Sequence, residues 1–442
     1  MSPLKKSDAK PVVFISIVFC TLLFTSFISL KWKSGNVKEV NFIADITEQE
    51  QKSTVPSPVK LALSSTTVKV PFRDYLTYDG LISYDTVNAT PLAHFMQALQ
   101  ELKKGTRKKV RIAYFGDSMI EGDLITQDLR QLLQEQFGGE GVGFVPITSI
   151  VAKFRQTIQH SYSSNWIDKS FKTEKGNAPL FLSGHYYLSG GAATVNYTTV
   201  SLPRLQTFAQ AYFLYGKTEG PHSIVVNGQP VTLTGSGACN KLLLDTASAR
   251  LSLQVPAGIP AFGCSFESEQ GVFIDNFSFR GISGIELEKF NTALLQSIAQ
   301  SHSYDLIVLQ YGPNLLFKPK LVDFDWYEKP MTSIVEKLRQ GFPGASVLVV
   351  STADKSFRYN GQMETALGVE PLLHVQNRVA FNTQSSFWNL YRAMGGRNAM
   401  VQWVEGDTAL ANKDYTHFNH RGARKIGTML FETIMKEFHN AQ

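Results

Sequence analysis

The chain of 442 residues is poor in cysteine, and its three cysteines stand at no spacing to histidine or to one another that resembles a zinc site. Cys20 lies in an apolar segment, whereas Cys239 and Cys264 fall in one region further along. Those two could form a disulfide in an oxidising compartment, or they could be two buried free thiols. The sequence leaves both alternatives open, and it predicts no metal site.

The chain also lacks a strong charge of either sign. Its formal net charge is +6, but residues 1–33 contain five lysines and one aspartate, so the rest of the chain is nearly neutral. Nucleic-acid binding requires an extended basic surface, and a nucleic-acid partner is therefore not predicted. One basic cluster, Lys103–Arg111, is interpreted as a solvated face at a helix end, where cations favour the helix dipole.

Long hydrophobic runs are rare, and one stands out. Val12–Leu30 contains 19 residues without a charge, and as a helix it would span roughly 28 Å, close to the thickness of a bilayer core. Residues 1–33 are predicted to be an uncleaved membrane anchor, with a cleaved signal peptide as the alternative. Three lysines precede the run, which favours a cytoplasmic N-terminus. We therefore expect a single-pass inner-membrane protein whose remaining part lies in the periplasm, connected by a polar linker at residues 34–70.

Apolar runs after the linker predict an α/β domain interrupted by a β domain. Buried strands at residues 110–115, 272–279, 305–311 and 345–352 alternate with amphipathic helices, which indicates a parallel sheet covered on both faces. Short alternating runs within residues 143–271 predict an inserted β-sandwich, with a hairpin turn at Asn227-Gly228. The α/β domain thus comprises residues 71–142 and 272–442. A helix over 371–394 and a last short strand within "MVQWV" at 400–404 complete it.

Polar groups follow several of these strands, and in open α/β sheets such groups gather at the carboxyl edge. Ser118, His417 and Asp414 could form a nucleophile, a general base and the carboxylate that orients the base. The Ser118 and Gly284 backbone N–H groups and the Asn314 side chain could stabilise an oxyanion.

Each of these residues has a simpler alternative. Ser118 could be an ordinary turn serine, Asp414 could cap a helix, and Asp407 could orient the base instead. His420 is a second candidate for the base, and a metal cluster of Asp414, His417 and His420 is a further alternative. Asp117 is predicted to shape the turn by hydrogen bonding.

Four short motifs in this order resemble the SGNH (GDSL-type) hydrolase family: Gly116-Asp117-Ser118, Ile282-Ser283-Gly284, Gly312-x-Asn314 and Asp414-x-x-His417. The resemblance implies a flavodoxin-like three-layer α/β/α fold and ester hydrolysis without a cofactor. It places the nucleophile on Ser118, the base on His417, the orienting acid on Asp414, and the oxyanion donors on Ser118, Gly284 and Asn314. Leu315 departs from the family pattern, which has an aspartate at this position.

The insertion between the first two motifs is similar to that of bacterial peptidoglycan O-acetylesterases, which carry a carbohydrate-binding-type β-domain there. The stretch "GDSMIEGDLITQDLRQLLQEQFGGEGVGFV" also resembles their first block. The resemblance therefore implies an esterase acting on an O-acetylated polysaccharide outside the cytoplasm. An O-acetyltransferase using the same serine and a non-catalytic glycan-binding protein are the alternatives.

Overall fold

The computed structural model describes residues 74–441, which belong to one compact unit of the chain. The predicted anchor and linker, residues 1–33 and 34–70, lie outside the described residues. Between residues 74 and 441, no helix is both long and apolar enough to cross a membrane.

Strands and helices are interspersed along residues 74–441. The strands are β1 Leu81–Ser83, β2 Lys109–Gly116, β3 Gly143–Pro146, β4 Gln159–Tyr162, β5 Trp166–Ser170, β6 His185–Ser189, β7 Ala193–Thr198, β8 Phe208–Tyr215, β9 His222–Val226, β10 Gln229–Leu233, β11 Asn240–Ser248, β12 Arg250–Val255, β13 Ala261–Glu267, β14 Gly271–Ser278, β15 Leu306–Gln310, β16 Ser346–Val350, β17 Ser356–Tyr359, β18 Gln362–Thr365 and β19 Ser386–Trp388. The helices are α1 Ala93–Lys103, α2 Thr126–Phe137, α3 Thr292–Ser301, α4 Asp325–Gly341, α5 Val369–Asn382, α6 Leu390–Met394, α7 Ala399–Glu405 and α8 His420–Asn440, with 3₁₀ turns at Glu121–Asp123 and Ile285–Lys289.

The central sheet has the strand order β1-β19-β16-β15-β2-β14. Its strands β14, β2, β15, β16 and β19 are parallel, and β1 pairs antiparallel with β19 at the edge. Taken in chain order, the parallel strands lie in the sequence 2-1-3-4-5, which is the flavodoxin-like arrangement. Because β2 lies between β14 and β15, the connection from β2 to β14 and the connection from β14 to β15 run in opposite directions along the sheet. The strand order therefore reverses at the carboxyl end of β2. A crevice is expected at this switch point.

Apolar cores cover both faces of this sheet, because successive strand residues point to opposite sides. Ala113 and Phe115 of β2 pack in one core with α3, α4 and α5, while Ile112 and Tyr114 pack in the other with α1, α2 and α8. The predicted mixed α/β fold, with helices on both faces of a parallel sheet, is confirmed.

Strands β4–β13 form two antiparallel sheets with the orders β10-β9-β12-β7-β4 and β11-β8-β13-β6-β5, and β3 pairs with β13. A third apolar core contains side chains from both sheets, including Val195, Leu253, Phe213 and Phe266. The predicted turn is present: Asn227 and Gly228 have φ of 49° and 83° between β9 and β10. Two positive φ values are what a two-residue hairpin turn of this type requires.

Two predictions about local structure are wrong. The stretch 371–394 is not one helix, because α5 ends at Asn382 and residues Ser386–Trp388 join the sheet beside β16. The "MVQWV" stretch is helical and lies in α7. A short apolar run suits either a strand or a buried helix, and here the long-range pairing of β19 decided which segment completed the sheet.

The interpretation of the basic cluster Lys103–Arg111 as a solvated face is also wrong for Arg111. Its side chain is buried and pairs with Asp275 at 3.0 Å and with Glu267. The charge alone gave no indication of this, since both partners lie more than 150 residues away in the sequence.

Candidate active site

Ser118 follows the carboxyl end of β2 in a tightly constrained turn. A Cβ on Gly116 would lie 3.0 Å from the Gln310 carbonyl oxygen of the neighbouring strand, so a larger residue would push the two strands apart there. Asp117 accepts a hydrogen bond from the Met119 N–H at 2.9 Å, which confirms its predicted role in shaping the turn. The turn thereby presents Ser118 at the sheet edge.

The backbone after Ser118 is strained, with φ of 73° at Asp123 and 65° at Ile125. Non-glycine residues hold such angles only where the surroundings enforce them. Asp123 is fully buried and accepts hydrogen bonds from Arg130 at 3.0 Å, Thr157 at 2.6 Å and Arg155 at 3.2 Å. Burial alone would raise the pKa of Asp123, but the two guanidinium groups hold it well below its ordinary range. Arg155 and Thr157 belong to the β insertion, which therefore helps to hold the turn.

The three residues predicted as nucleophile, base and orienting acid lie together. Ser118 Oγ is 2.9 Å from His417 Nε2, and His417 Nδ1 is 2.7 Å from Asp414 Oδ2. The side chains of His417 and Asp414 are 33% and 49% exposed, so solvent reaches the base from one side. This linear arrangement is the one in which an imidazole can take the proton of a serine hydroxyl while a carboxylate holds its tautomer.

Asp414 is held in its ionised form by the loop that carries it. Its Oδ1 accepts the N–H groups of Thr416 and His417, each at 3.0 Å. Partial burial would raise the pKa of Asp414, but these hydrogen bonds and the contact with His417 lower it below its usual value. By contrast, burial raises the pKa of Asp117 to about 6, and its hydrogen bonds only partly oppose that rise.

Two of the predicted oxyanion donors are engaged within the protein. The Gly284 N–H donates to Glu286 Oε2 at 3.1 Å, and the Ser283 N–H donates to the same oxygen at 3.0 Å. The Glu286 carboxylate thus occupies the two N–H groups that directly precede the 3₁₀ turn Ile285–Lys289. The Asn314 Nδ2 atom donates to Asp117 Oδ2 at 3.1 Å and to the Ile282 carbonyl oxygen at 2.8 Å. Both donors must leave these acceptors, or share them, to bind an oxyanion.

The alternative residues do not join this arrangement. The His420 ring stacks on Phe154 of the β insertion, with centroids 4.9 Å apart, and Asp414 rather than Asp407 contacts His417. Across residues 74–441, no group of three or more His, Cys, Asp or Glu side chains is arranged to hold a metal ion. Cys239 and Cys264 are both buried free thiols, and burial raises the pKa of each to about 12.

Lys355 is a neighbour of the site that the sequence did not identify. Its Nζ donates to the Pro313 carbonyl oxygen at 3.1 Å, beside Asn314. Burial lowers the pKa of Lys355, and the nearby carboxylates of Asp414 and Asp117 oppose that shift. The sequence signal that could have identified Lys355 is its position shortly after β16, at the same carboxyl edge of the sheet as Ser118 and Asn314. Leu315, which stands where the family pattern has an aspartate, has its side chain buried in the apolar core.

Comparisons with known proteins extend this description of the fold. No family model matches the chain, and no curated protein matches it either. A solved structure of a peptidoglycan O-acetylesterase matches with a TM-score of 0.68 and 24% identity, over 81% of this chain and 99% of that chain. A family two carbohydrate esterase from Cellvibrio japonicus matches with a TM-score of 0.27 and 8% identity, over 64% of this chain and 98% of that chain.

The two likenesses differ in what they establish. The first covers nearly the whole of the other chain and shows that the two proteins share a fold. The second has a score too low to establish a common fold over the covered length. Fold similarity does not by itself assign an activity, so the function depends on the site geometry.

Proposed function

We propose that this protein is a serine esterase that removes O-acetyl groups from a polysaccharide outside the cytoplasm, with the glycan of peptidoglycan as its substrate. The observation that carries the proposal is the linear array of Ser118, His417 and Asp414 at the switch point of the sheet. The fold shared with a peptidoglycan O-acetylesterase supports this choice of substrate. The predicted anchor at Val12–Leu30 supports attachment to the inner membrane with the catalytic part in the periplasm.

In the proposed reaction, Ser118 Oγ attacks the acetyl carbonyl carbon while His417 Nε2 takes the hydroxyl proton. The negative charge that develops on the carbonyl oxygen is stabilised by the Ser118 and Gly284 N–H groups and by Asn314. His417 then gives its proton to the departing sugar oxygen, which leaves an acetyl ester on Ser118. A water molecule, deprotonated by His417, then attacks the acetyl carbonyl carbon. The bond to Ser118 Oγ breaks, His417 returns the proton to that oxygen, and acetate is released.

The test is acetate release from O-acetylated peptidoglycan by the full chain and by Ser118→Ala. We expect the variant to lose several orders of magnitude in rate, as is usual when the nucleophile of such a triad is removed. Its melting temperature should hardly change, because a turn serine contributes little to packing. Ser161→Ala, at an exposed position on β4, is the matched control and should behave as the unmodified protein.

Two outcomes would contradict the proposal. Near-normal turnover by purified Ser118→Ala would remove the serine from the mechanism. An unmodified protein that moves acetyl groups only to an added acceptor sugar, with no free acetate, would be a transferase; one that binds the glycan without turnover would be a non-catalytic binding protein.

A further inference from the structure

The loops that follow β15 and β16 lie side by side at the carboxyl edge of the sheet, and buried contacts join them at their base. Gln376 of α5 bridges the two loops: its side-chain oxygen accepts the Thr352 N–H at 2.7 Å, and its side-chain nitrogen donates to the Tyr311 carbonyl oxygen at 2.7 Å. Gly312 packs so closely against Thr352 that a Cβ on the glycine would lie 2.2 Å from Thr352 Oγ1. The first residues of both loops are therefore fixed.

Beyond Gly312, the loop after β15 carries Asn314, whose amide is the side-chain donor proposed for the oxyanion. The Leu315 N–H donates to the Gly312 carbonyl oxygen at 2.8 Å, so this bond closes the turn on Gly312 and not on Pro313. The Pro313 carbonyl oxygen instead accepts a hydrogen bond from Lys355 Nζ at 3.1 Å. Because that carbonyl and the Asn314 Cα belong to one planar peptide group, the lysine fixes the plane from which the Asn314 side chain departs.

Backbone hydrogen bonds hold Lys355 itself in place. Its carbonyl oxygen accepts the N–H of Ala366, which follows β18, at 2.7 Å. The next residue, Ser356, donates its N–H to the Tyr415 carbonyl oxygen at 3.0 Å, within the loop that carries the proposed base. The lysine segment therefore joins the loop of the proposed oxyanion donor to the loop of the proposed base.

The charge of Lys355 also suits this position. Burial lowers the pKa of Lys355, and the carboxylates of Asp414 and Asp117 oppose that shift, so the ammonium group lies in the field of both. A charged donor forms a stronger hydrogen bond to a carbonyl than a neutral one does. The side chain also packs on an aromatic ring, with Nζ 5.2 Å from the ring centroid of Phe357. Methionine at this position would keep much of that packing and lose the bond to the carbonyl.

We propose that Lys355 is a positioning residue for ester hydrolysis, and that its ammonium group holds the Pro313–Asn314 peptide so that the Asn314 amide can reach the oxyanion. The inference rests on the proposed function, since it takes Asn314 as an oxyanion donor. During the reaction Asn314 must exchange its present acceptors, Asp117 and the Ile282 carbonyl, for the oxyanion. A loop that is fixed in advance leaves only the side chain to reorient as charge develops, and a misplaced donor is costly in rate.

The experiment is a double-mutant cycle in the full chain, with hydrolysis of a small acetyl ester as the readout. Lys355→Met should lower kcat by about 10- to 100-fold with KM nearly unchanged, because the donor that it misplaces acts in the transition state. In an Asn314→Ala background the same substitution should cost less than about threefold, since the group that it positions is already absent. Lys355→Arg, which keeps a cationic donor, should recover most of the rate.

Lys318→Met is the matched control. Lys318 Nζ also lies 5.2 Å from the ring centroid of a phenylalanine, Phe317, but the lysine is exposed. Its replacement removes the same charge from the same loop region and should leave kcat and KM unchanged. Melting temperatures are recorded for every variant, and Lys355→Gln takes the place of Lys355→Met if the methionine variant does not fold.

Hydrogen exchange of the full chain gives a second readout, one that does not depend on catalysis. The Leu315 and Leu316 N–H groups should exchange about three- to tenfold faster in Lys355→Met than in the unmodified protein, which is the effect of losing one net hydrogen bond from the loop. Lys318→Met should exchange there as the unmodified protein does.

Three results would each overturn the proposal: an unchanged kcat in Lys355→Met, the same fold-loss in the presence and absence of Asn314, or unchanged exchange in the loop. A protein without Ser118-dependent ester hydrolysis would contradict the proposed function. In that case hydrogen exchange alone would decide whether Lys355 holds the Asn314 segment, so the two failures are distinguishable.

Discussion

Two His–Asp pairs in this molecule have similar geometry and very different surroundings. His417 and Asp414 lie 2.7 Å apart at the carboxyl edge of the sheet, and His302 and Asp275 lie 3.1 Å apart beneath the β insertion. The first pair is partly exposed and has Ser118 on its free ring nitrogen. The second is fully buried, and its carboxylate also accepts Tyr304 at 2.8 Å and Arg111 at 3.0 Å.

The surroundings determine what each pair can do. Arg111 holds the pKa of Asp275 well below its usual value despite burial, while burial lowers the pKa of His302 to about 4. His302 is therefore neutral near neutral pH, and its Nδ1 is buried and has no hydrogen-bond partner among residues 74–441. The buried pair is a fixed part of the boundary between the insertion and the α/β layer. The edge pair has a hydroxyl and solvent within reach, so a proton can move through it.

The largest effect is expected from breaking the His417–Asp414 pair at the carboxyl edge of the sheet. Asp414→Asn should lower the rate of ester hydrolysis by about 10⁴-fold, because an amide favours the wrong tautomer of the imidazole. Remaining activity should rise with pH, since hydroxide can then replace the base. Asp407→Asn, the other carboxylate considered for this role, is the control and should retain full activity. Equal losses in the two variants would show that Asp414 has no special part in the reaction.

Breaking the buried pair should affect stability instead. Asp275→Ala leaves Arg111 buried without one of its partners, and such a loss costs about 3–5 kcal/mol. Asp414→Ala, at a half-exposed position, should change the free energy of unfolding by less than about 1 kcal/mol. Denaturant unfolding of both variants measures the difference. A similar small change in both would mean that the buried cluster is not structurally important.

Replacing Asn314 tests whether its side-chain amide takes part in the reaction at the carboxyl edge of the sheet. Asn314→Ala should reduce the rate by about 10²–10³-fold if its amide reaches the oxyanion during the reaction. The loss should appear in kcat, because the interaction forms in the transition state. Activity within about twofold of the unmodified protein would indicate that Asn314 serves only to hold Asp117 and the Ile282 carbonyl.

The smallest effect concerns the pH dependence of stability. Between about pH 6.5 and pH 4 the unfolded chain takes up a proton at residue 302 that folded His302, with its pKa of about 4, does not. Stability should therefore fall as pH falls through this window, by on the order of 1–3 kcal/mol from this residue. His302→Gln should remove that contribution. Because the raised pKa of Asp117 acts in the opposite direction, the quantity to measure is the difference between the two proteins across the window.

Local patterns in the sequence were sufficient for part of this molecule. Continuous apolar runs predicted four of the five parallel strands, and amphipathic stretches predicted helices that cover them, because these patterns are properties of each segment alone. The Asn227-Gly228 turn follows from the backbone preferences of two residues. The spacing of Asp414 and His417 predicted their contact, since one turn of chain brings the two side chains to the same side.

Tertiary structure decided whatever depended on distant partners. Arg111 is buried because Asp275 and Glu267 neutralise it across the sheet boundary, and residues Ser386–Trp388 are a strand because β16 offers them a pairing edge. The engagement of Gly284 and Asn314 by Glu286 and Asp117 is a matter of side-chain geometry. In each case the determining energy comes from contacts between segments far apart in the chain, which no local pattern of residues encodes.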